Sequence, residues 1–313
     1  MHPLFVDWAV SGKCRLNCVH CRGVAGAELG TAEALHVVEE IAGLGPNWLL
    51  LEGGEPFLRE DLYEIVERAR NCGLQVELVT NGQERMDLAR LRAQEARVSV
   101  SLEATGSKYD MLRKGGSFEK LVENLERLKE NELLGDLIFT FHSFSDFAGV
   151  IELAHRFECG VTVLGYKPRE ATDPLLPKRS EYGEKLKSLC SLAAKLGVRI
   201  SSDEPFFNLL ASSRPSAPIV PDVEGCIFGR YLFIDADGTV KPCTFSPFSI
   251  GHANDLRTVW SEWLQGSMFG EVSKRIRRGR CAECKFLAVC GGCRSRAAIL
   301  TGDLLGEDPL CPV

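Results

Sequence analysis

The sequence predicts an α/β protein: a partial (β/α)6 TIM-like barrel followed by a small cysteine-rich domain. Up to about residue 202, short apolar runs alternate with amphipathic helical patterns, as in parallel strands joined by helices. From Cys226 onward seven cysteines accumulate. Between these regions the periodicity fails at Pro205, Pro215, Pro218, Pro221 and the run Ala211-Ser212-Ser213. The expected organisation is therefore a barrel over 1–204, a linker over 205–225 and a second domain over 226–313.

The expected strands are Leu4 to Val10, Trp48 to Leu51, Leu74 to Thr80, Val98 to Leu102, Leu137 to Phe141 and Val161 to Leu164. The clearest helix carries Phe118, Leu121, Val122, Leu125 and Leu128 at helical spacing after Ser117, a serviceable N-cap. Six strand-helix units make an open barrel, and in such barrels ligands gather at the C-terminal ends of the strands.

Composition narrows the class. A chain of 313 residues, 45% of them hydrophobic, can bury a substantial core. A net charge of -6 gives no reason to expect nucleic acid or an anionic membrane as partner. The basic run Lys274, Arg275, Arg277, Arg278 and Arg280 reads as a solvated helix face. Asp7 interrupts the one apolar run near the start, and no run is long enough to span a bilayer, so a cytoplasmic protein is expected. In a reducing compartment, thirteen cysteines argue for metal ligation over disulfides. Cys72, Cys159 and Cys190 stand alone in helical patterns and are expected to be small buried apolar residues.

Directly after the first strand come Cys14, Cys18 and Cys21 in the spacing CxxxCxxC. Thiolates select zinc, copper(I) or iron-sulfur clusters. Three of them on one short loop can each hold one iron of a four-iron four-sulfur cube and leave the fourth iron open to a ligand. Zinc remains the alternative on spacing alone. At the end of the second strand, Gly53-Gly54 would let a ligand approach the backbone, and Glu55 offers a carboxylate to a cationic amine before Pro56, a helix-start residue. Thr80-Asn81-Gly82 and Ser101-Leu102-Glu103 end the third and fourth strands.

Together these segments resemble the radical SAM superfamily, whose triad cluster binds the amino and carboxylate groups of S-adenosylmethionine. His20 stands where that family places an aromatic residue. The resemblance implies that Gly53, Gly54 and Glu55 serve the methionine amine, that Asn81 lines the site, and that Ser101 and Glu103 meet the ribose. The family more often has aspartate at the position of Glu103. Arg113, in Tyr109 to Phe118, matches an arginine that takes the methionine carboxylate in the SPASM branch.

Beyond the linker, Cys226 and Cys243 flank a strand-like Tyr231 to Ile234 and the turn Asp235-Ala236-Asp237-Gly238, which reads as a hairpin with a cysteine at each end. Cys281, Cys284, Cys290, Cys293 and Cys311 follow. The order resembles the SPASM domain, which carries up to two auxiliary four-iron clusters. Cys281, Cys284, Cys290 and Cys311 form one implied ligand set. Cys226, Cys243 and Cys293 form a second that lacks a fourth thiol, because no cysteine stands just upstream of Cys226. Only Gly291 and Gly292 separate Cys290 from Cys293, where the family usually has three residues.

The implied activity is reductive cleavage of S-adenosylmethionine to a 5′-deoxyadenosyl radical, fed by a low-potential electron donor, and hydrogen abstraction from a peptide or protein. The alternative substrate is a tetrapyrrole carboxylate or acetate, since Cys290 to Arg296 with Asp308 to Cys311 is similar to enzymes of haem synthesis. With thirteen residues ahead of Cys14, no separate peptide-recognition domain is expected there. Sulfatase maturation is disfavoured, because its enzymes carry aspartate where Thr244 follows Cys243. The non-enzymatic alternative is a zinc-stabilised interaction protein.

Overall fold

The computed structural model describes residues 1–24, 26–206 and 225–313. Most of the expected linker, 207–224, lies outside them. Two compact units are present: Met1–Ser101 with Tyr109–Gly135 and Gly229–Gly270, and Leu102–Lys108 with Asp136–Phe228 and Glu271–Val313.

The first unit is built on β1 (Val6–Ser11), β3 (Trp48–Gly53), β4 (Gln75–Thr80) and β5 (Arg97–Ser101), parallel neighbours in that order. On the other side of β1 lies β10 (Leu232–Ile234), also parallel to it, then β11 (Thr239–Lys241) and β12 (Gly251–His252), both antiparallel. The β10–β11 hairpin with its turn at Asp235 to Gly238 was expected; the parallel seat of β10 against β1 was not. All six residues of β1 are buried, so its side chains alternate into two covered faces. Trp8, Val10, Leu49, Leu51, Leu78, Val98 and Val100 are fully buried and form the core. Burying each such side chain contributes about 1.5–3 kcal/mol.

Helices α1 (Thr31–Leu44), α2 (Leu62–Asn71), α3 (Leu88–Ala93) and α4 (Phe118–Glu130) follow successive strands. Helix α1 buries Ala34, Val37, Val38 and Ile41, one stripe at helical spacing. Helix α4 starts where expected, with the Ser117 hydroxyl accepting from Lys120 N at 3.3 Å.

The second unit holds β7 (Leu134–Phe141) from Asp136 onward, β8 (Val161–Gly165) and β9 (Ile200–Ser202), parallel in that order, with α5 (Phe147–Phe157) and α6 (Arg179–Leu196) between them. The three-residue β9 was too short to register in the sequence pattern. Among the described residues no helix is long and apolar enough to cross a membrane.

Two expectations about single cysteines fail. Cys190 is buried in α6, but Cys72 is exposed and Cys159 half-buried. Cys72 caps the C-terminus of α2, where the chain leaves the packed face, and Cys159 lies just past the end of α5.

Candidate functional site

Helix α1 begins at Thr31, so nineteen residues, 12–30, connect it to β1 and carry the triad. Cys14 and Cys21 are exposed and Cys18 is half-buried. Main-chain N–H groups point at two of the sulfurs: Leu16 N lies 3.4 Å from Cys14 Sγ, and Gly23 N lies 3.3 Å from Cys21 Sγ. At Cys14 burial raises the thiol more than the Leu16 N–H lowers it.

The loop is braced from several sides. Glu28 receives Lys13 Nζ at 2.8 Å and the Ser11 hydroxyl. Arg59, almost wholly buried, donates to Val10 O at 2.7 Å and Leu29 O at 2.9 Å while pairing with Asp61 at 2.7 Å. It thereby fixes both ends of the loop. Sequence reasoning missed Arg59; its signal is a charged residue four positions after Glu55, indistinguishable by type from a surface arginine.

A two-stranded ribbon closes the triad's other flank. In it β2 (Asn17–Cys18) runs antiparallel to β6 (Arg113–Lys114), with Asn17 opposite Lys114 and Cys18 opposite Arg113. Val19 N continues the ribbon to Leu112 O at 2.9 Å. The short Arg113 strand therefore lies directly against the cysteine loop, and its side chain is buried.

Gly53, the last residue of β3, and Gly54 after it lie hard against neighbouring backbone. A side chain on Gly53 would fall 2.3 Å from Ser11 O, and one on Gly54 would fall 2.3 Å from Lys13 O. Gly54 N donates to Ser11 O at 2.7 Å. What approaches this backbone so closely is the chain's own cysteine loop. Gly53, at φ 137°, also occupies a region that side chains disfavour.

Glu55 is fully buried. Its Oε1 accepts from Thr80 Oγ1 at 2.8 Å and Phe57 N at 3.2 Å, and its Oε2 from Asn81 N at 2.8 Å. Burial pushes its carboxyl up to about 7 despite those three donors. Among the described residues no cation pairs with it, so the carboxylate suits an incoming amine. Asn81 links the two halves of the site, its Nδ2 reaching Cys14 Sγ at 3.7 Å. Behind it, Gln83 donates to Tyr109 Oη at 3.1 Å and Ser117 O at 3.0 Å. Ser101 ends β5 half-buried, and Glu103, two residues on, is buried with its carbonyl receiving Asp146 N at 2.7 Å.

A pair of neighbouring carboxylates lies in the same unit. Asp7 on β1 and Glu52 on β3 interact, and burial first, then the neighbouring Glu52, raises Asp7 well above the ordinary carboxylate range. Burial alone carries Glu52 to about 7. Thr244 Oγ1 donates to Asp7 Oδ2 at 3.1 Å, and Thr244 N is held 2.9 Å from Tyr231 Oη. Cys243 lies next to this network in the chain and acts on Tyr231 electrostatically.

In the second unit, Cys281, Cys284, Cys290 and Cys311 line one cavity with Phe286 and Phe206. These are the four thiols expected to act together. Burial pushes the Cys290 thiol up to about 12, so it holds its proton until a cation displaces it, as a metal-ligating thiol does on loading. Cys293 does not line that cavity; it is buried, and burial raises its thiol further still. Cys226 N donates to Cys290 O at 3.1 Å, which brings Cys226 beside this group. Among the described residues no three His, Cys, Asp or Glu side chains are grouped to hold a single metal ion. The basic run is not a uniform solvated face: Lys274, Arg278 and Arg280 are exposed, Arg275 is half-buried and Arg277 is buried, because Arg277 turns inward to main-chain carbonyls.

The radical SAM superfamily model matches residues 8–154, and the SPASM model, an iron-sulfur cluster-binding domain, matches residues 226–293. The AdoMet-dependent heme synthase of Methanosarcina barkeri (strain Fusaro) is 29% identical, over 99% of this chain and 96% of that protein. The mycofactocin maturase MftC of Mycolicibacterium smegmatis is 26% identical, over 99% of this chain and 82% of its own length. The solved structure of native anSMEcpe with bound AdoMet and Cp18Cys peptide is similar in fold, with a TM-score of 0.76 at 19% identity, covering 98% of this chain and 93% of that one. The fold class is the expected one, a parallel-stranded α/β barrel type with a C-terminal cluster domain. The cofactors are S-adenosylmethionine, a four-iron four-sulfur cluster and auxiliary iron-sulfur clusters rather than zinc. The protein belongs to the radical SAM superfamily and carries a SPASM domain.

Proposed function

We propose that this enzyme uses S-adenosylmethionine to remove a hydrogen atom from a carboxylate side chain of a tetrapyrrole. The carrying observation is the likeness to the AdoMet-dependent heme synthase, which runs through 99% of this chain and 96% of that protein. The reading places the substrate-converting cluster on Cys14, Cys18 and Cys21. When bound, that cluster supplies the electron that splits the sulfonium of S-adenosylmethionine into methionine and a 5′-deoxyadenosyl radical.

The chain's own residues bind and orient. Glu55, lacking a cation, takes the methionine amine, helped by the main chain at Gly53, Gly54 and Asn81. Arg113 takes the carboxylate from its strand beside Cys18. Ser101 and Glu103 meet the ribose hydroxyls. The four cavity thiols Cys281, Cys284, Cys290 and Cys311 hold one auxiliary cluster, and Cys226, Cys243 and Cys293 are the ligands of a second. A propionate that loses a hydrogen atom from the carbon next to the ring, then one electron and carbon dioxide, becomes a vinyl group. The C-terminal thiols would hold a cluster able to accept that electron, and a low-potential protein donor would reduce the one held by the triad.

The second reading is peptide modification, favoured by the 26% identity with mycofactocin maturase MftC across 99% of this chain. Anaerobic incubation with S-adenosylmethionine, dithionite and separate panels of propionate-bearing tetrapyrroles and host peptides decides between them. A tetrapyrrole that loses carbon dioxide in step with 5′-deoxyadenosine release supports the first reading. A mass change confined to peptides replaces it with the second.

A further inference from the structure

The second unit treats its buried guanidinium groups in two opposite ways. Arg296 is wholly buried and fully compensated: it donates to Glu204 at 2.8 and 3.1 Å and to Asp308 at 2.8 Å. Both carboxylates are themselves wholly buried, so Arg296 is held between two anions.

Arg277 and Arg294 have no such partner. Arg294 is wholly buried, and its bonds go only to main-chain carbonyls: Gly292 O at 3.1 Å, and Leu304 O and Gly306 O at 2.7 Å each. Its Nη2 is buried with no hydrogen-bond partner. Arg277, also buried, donates to Gly291 O at 3.0 Å and Ile276 O at 2.7 Å. Among the described residues neither forms an ion pair. Both bond to the Gly291-Gly292 pair, each glycine in the left-handed region, which joins Cys290 to Cys293. Arg277 acts electrostatically on Cys226 and Cys281 as well as on Arg294.

Two guanidinium groups buried without an ion pair are costly to the fold. Thiolates at Cys226 and Cys281, which bear on Arg277, would supply negative charge there. A four-iron four-sulfur cube with four thiolates is a net anion, and each electron it accepts adds one more negative charge beside these cations. Potentials of such clusters follow net charge and local electrostatics.

We propose that Arg277 and Arg294 are the counter-charge of the auxiliary cluster held by Cys281, Cys284, Cys290 and Cys311, and that they raise its reduction potential. This rests on the assignment of those four thiols as ligands. The two residues position charge and do not touch the reacting atoms.

The test uses the full chain with the triad replaced (Cys14→Ala, Cys18→Ala, Cys21→Ala), so that only C-terminal iron is observed. Iron is counted and the cluster potential is followed by electron paramagnetic resonance. Arg277→Gln should keep its iron and shift the reduced-to-oxidised ratio at fixed potential by about tenfold towards oxidised, about 59 mV for one electron. Arg277→Lys, which keeps the charge, should stay near the parent. An unshifted Arg277→Gln with full iron overturns the proposal. If Arg277→Gln loses iron, retention in Arg277→Lys supports it, and equal loss in both overturns it. Cys284→Ala is the control for the ligand assignment: loss of about four irons supports the ligand set, and full iron there refutes the set and the proposal with it.

Discussion

Cys18 and Arg113 face each other across a two-stranded antiparallel ribbon, although 94 residues separate them in the chain. The pairing places an arginine against the middle cysteine of the triad. Because main-chain bonds hold it there, changing the side chain leaves the ribbon in place. Arg113→Ala should therefore keep the triad's iron while weakening S-adenosylmethionine binding. Loss of one charge-assisted bond costs about 1.5–3 kcal/mol, or about tenfold to a hundredfold in affinity. Isothermal titration with iron quantification checks it, and an unchanged dissociation constant would remove Arg113 from the cofactor site.

Replacing Cys14, Cys18 and Cys21 by alanine should abolish 5′-deoxyadenosine formation and leave the C-terminal iron, since the triad and the four cavity thiols belong to different units. Chromatography of reductant-treated enzyme with S-adenosylmethionine reads this directly. Cleavage that survives the triple change would contradict the placement of the substrate-converting cluster.

Much of this was readable in the sequence because parallel strands buried on both faces leave apolar runs, and six of them lie within a few residues of their expected positions. The triad was equally plain, since its spacing is local. What stayed hidden depends on pairing over distance. Nothing in Leu232-Phe233-Ile234 says that it will lie parallel to β1. Arg59 and Arg277 share a residue type with surface arginines, and only the fold turns them inward. Asp7 was visible as a break in an apolar run, but its partner Glu52 stands 45 positions away, so the carboxylate pair emerged only with the sheet.

That pair makes stability depend on pH. Glu52 titrates near 7 in the folded chain, against an ordinary value of 4.5, because burial disfavours its charge. The folded state thus binds the proton more tightly than the unfolded state. The protonated form's contribution is fully present below about pH 4.5 and is lost as pH rises through about 7. Glu52→Gln should consequently raise the melting temperature at pH 8 relative to the parent, with the gap closing towards pH 5. Calorimetry across that window measures it, and a gap independent of pH would mean that Glu52 is solvated and ordinary.

The two outer cysteines of the second unit should behave differently. Cys311 lines the cavity shared with Cys281, Cys284 and Cys290, whereas Cys293 lies outside it, with its N–H held by Asp308 Oδ2 at 2.8 Å. The loaded wild type should hold about twelve irons, four per cluster. Cys311→Ala removes a ligand from the four-thiol set, so about four irons and much of the unit's stability should go together, because metal affinity is folding free energy in a small cluster-bearing unit. Cys293→Ala should spare that set. If Cys293 serves the incomplete second cluster with Cys226 and Cys243, about eight irons remain, the unit keeps its melting transition, and S-adenosylmethionine is still cleaved. Mössbauer spectroscopy with iron counting on both variants separates the cases: about twelve irons in Cys293→Ala would mean that this thiol ligates nothing, and the Gly291-Gly292 link between the two cysteines would then serve only to seat Arg277 and Arg294.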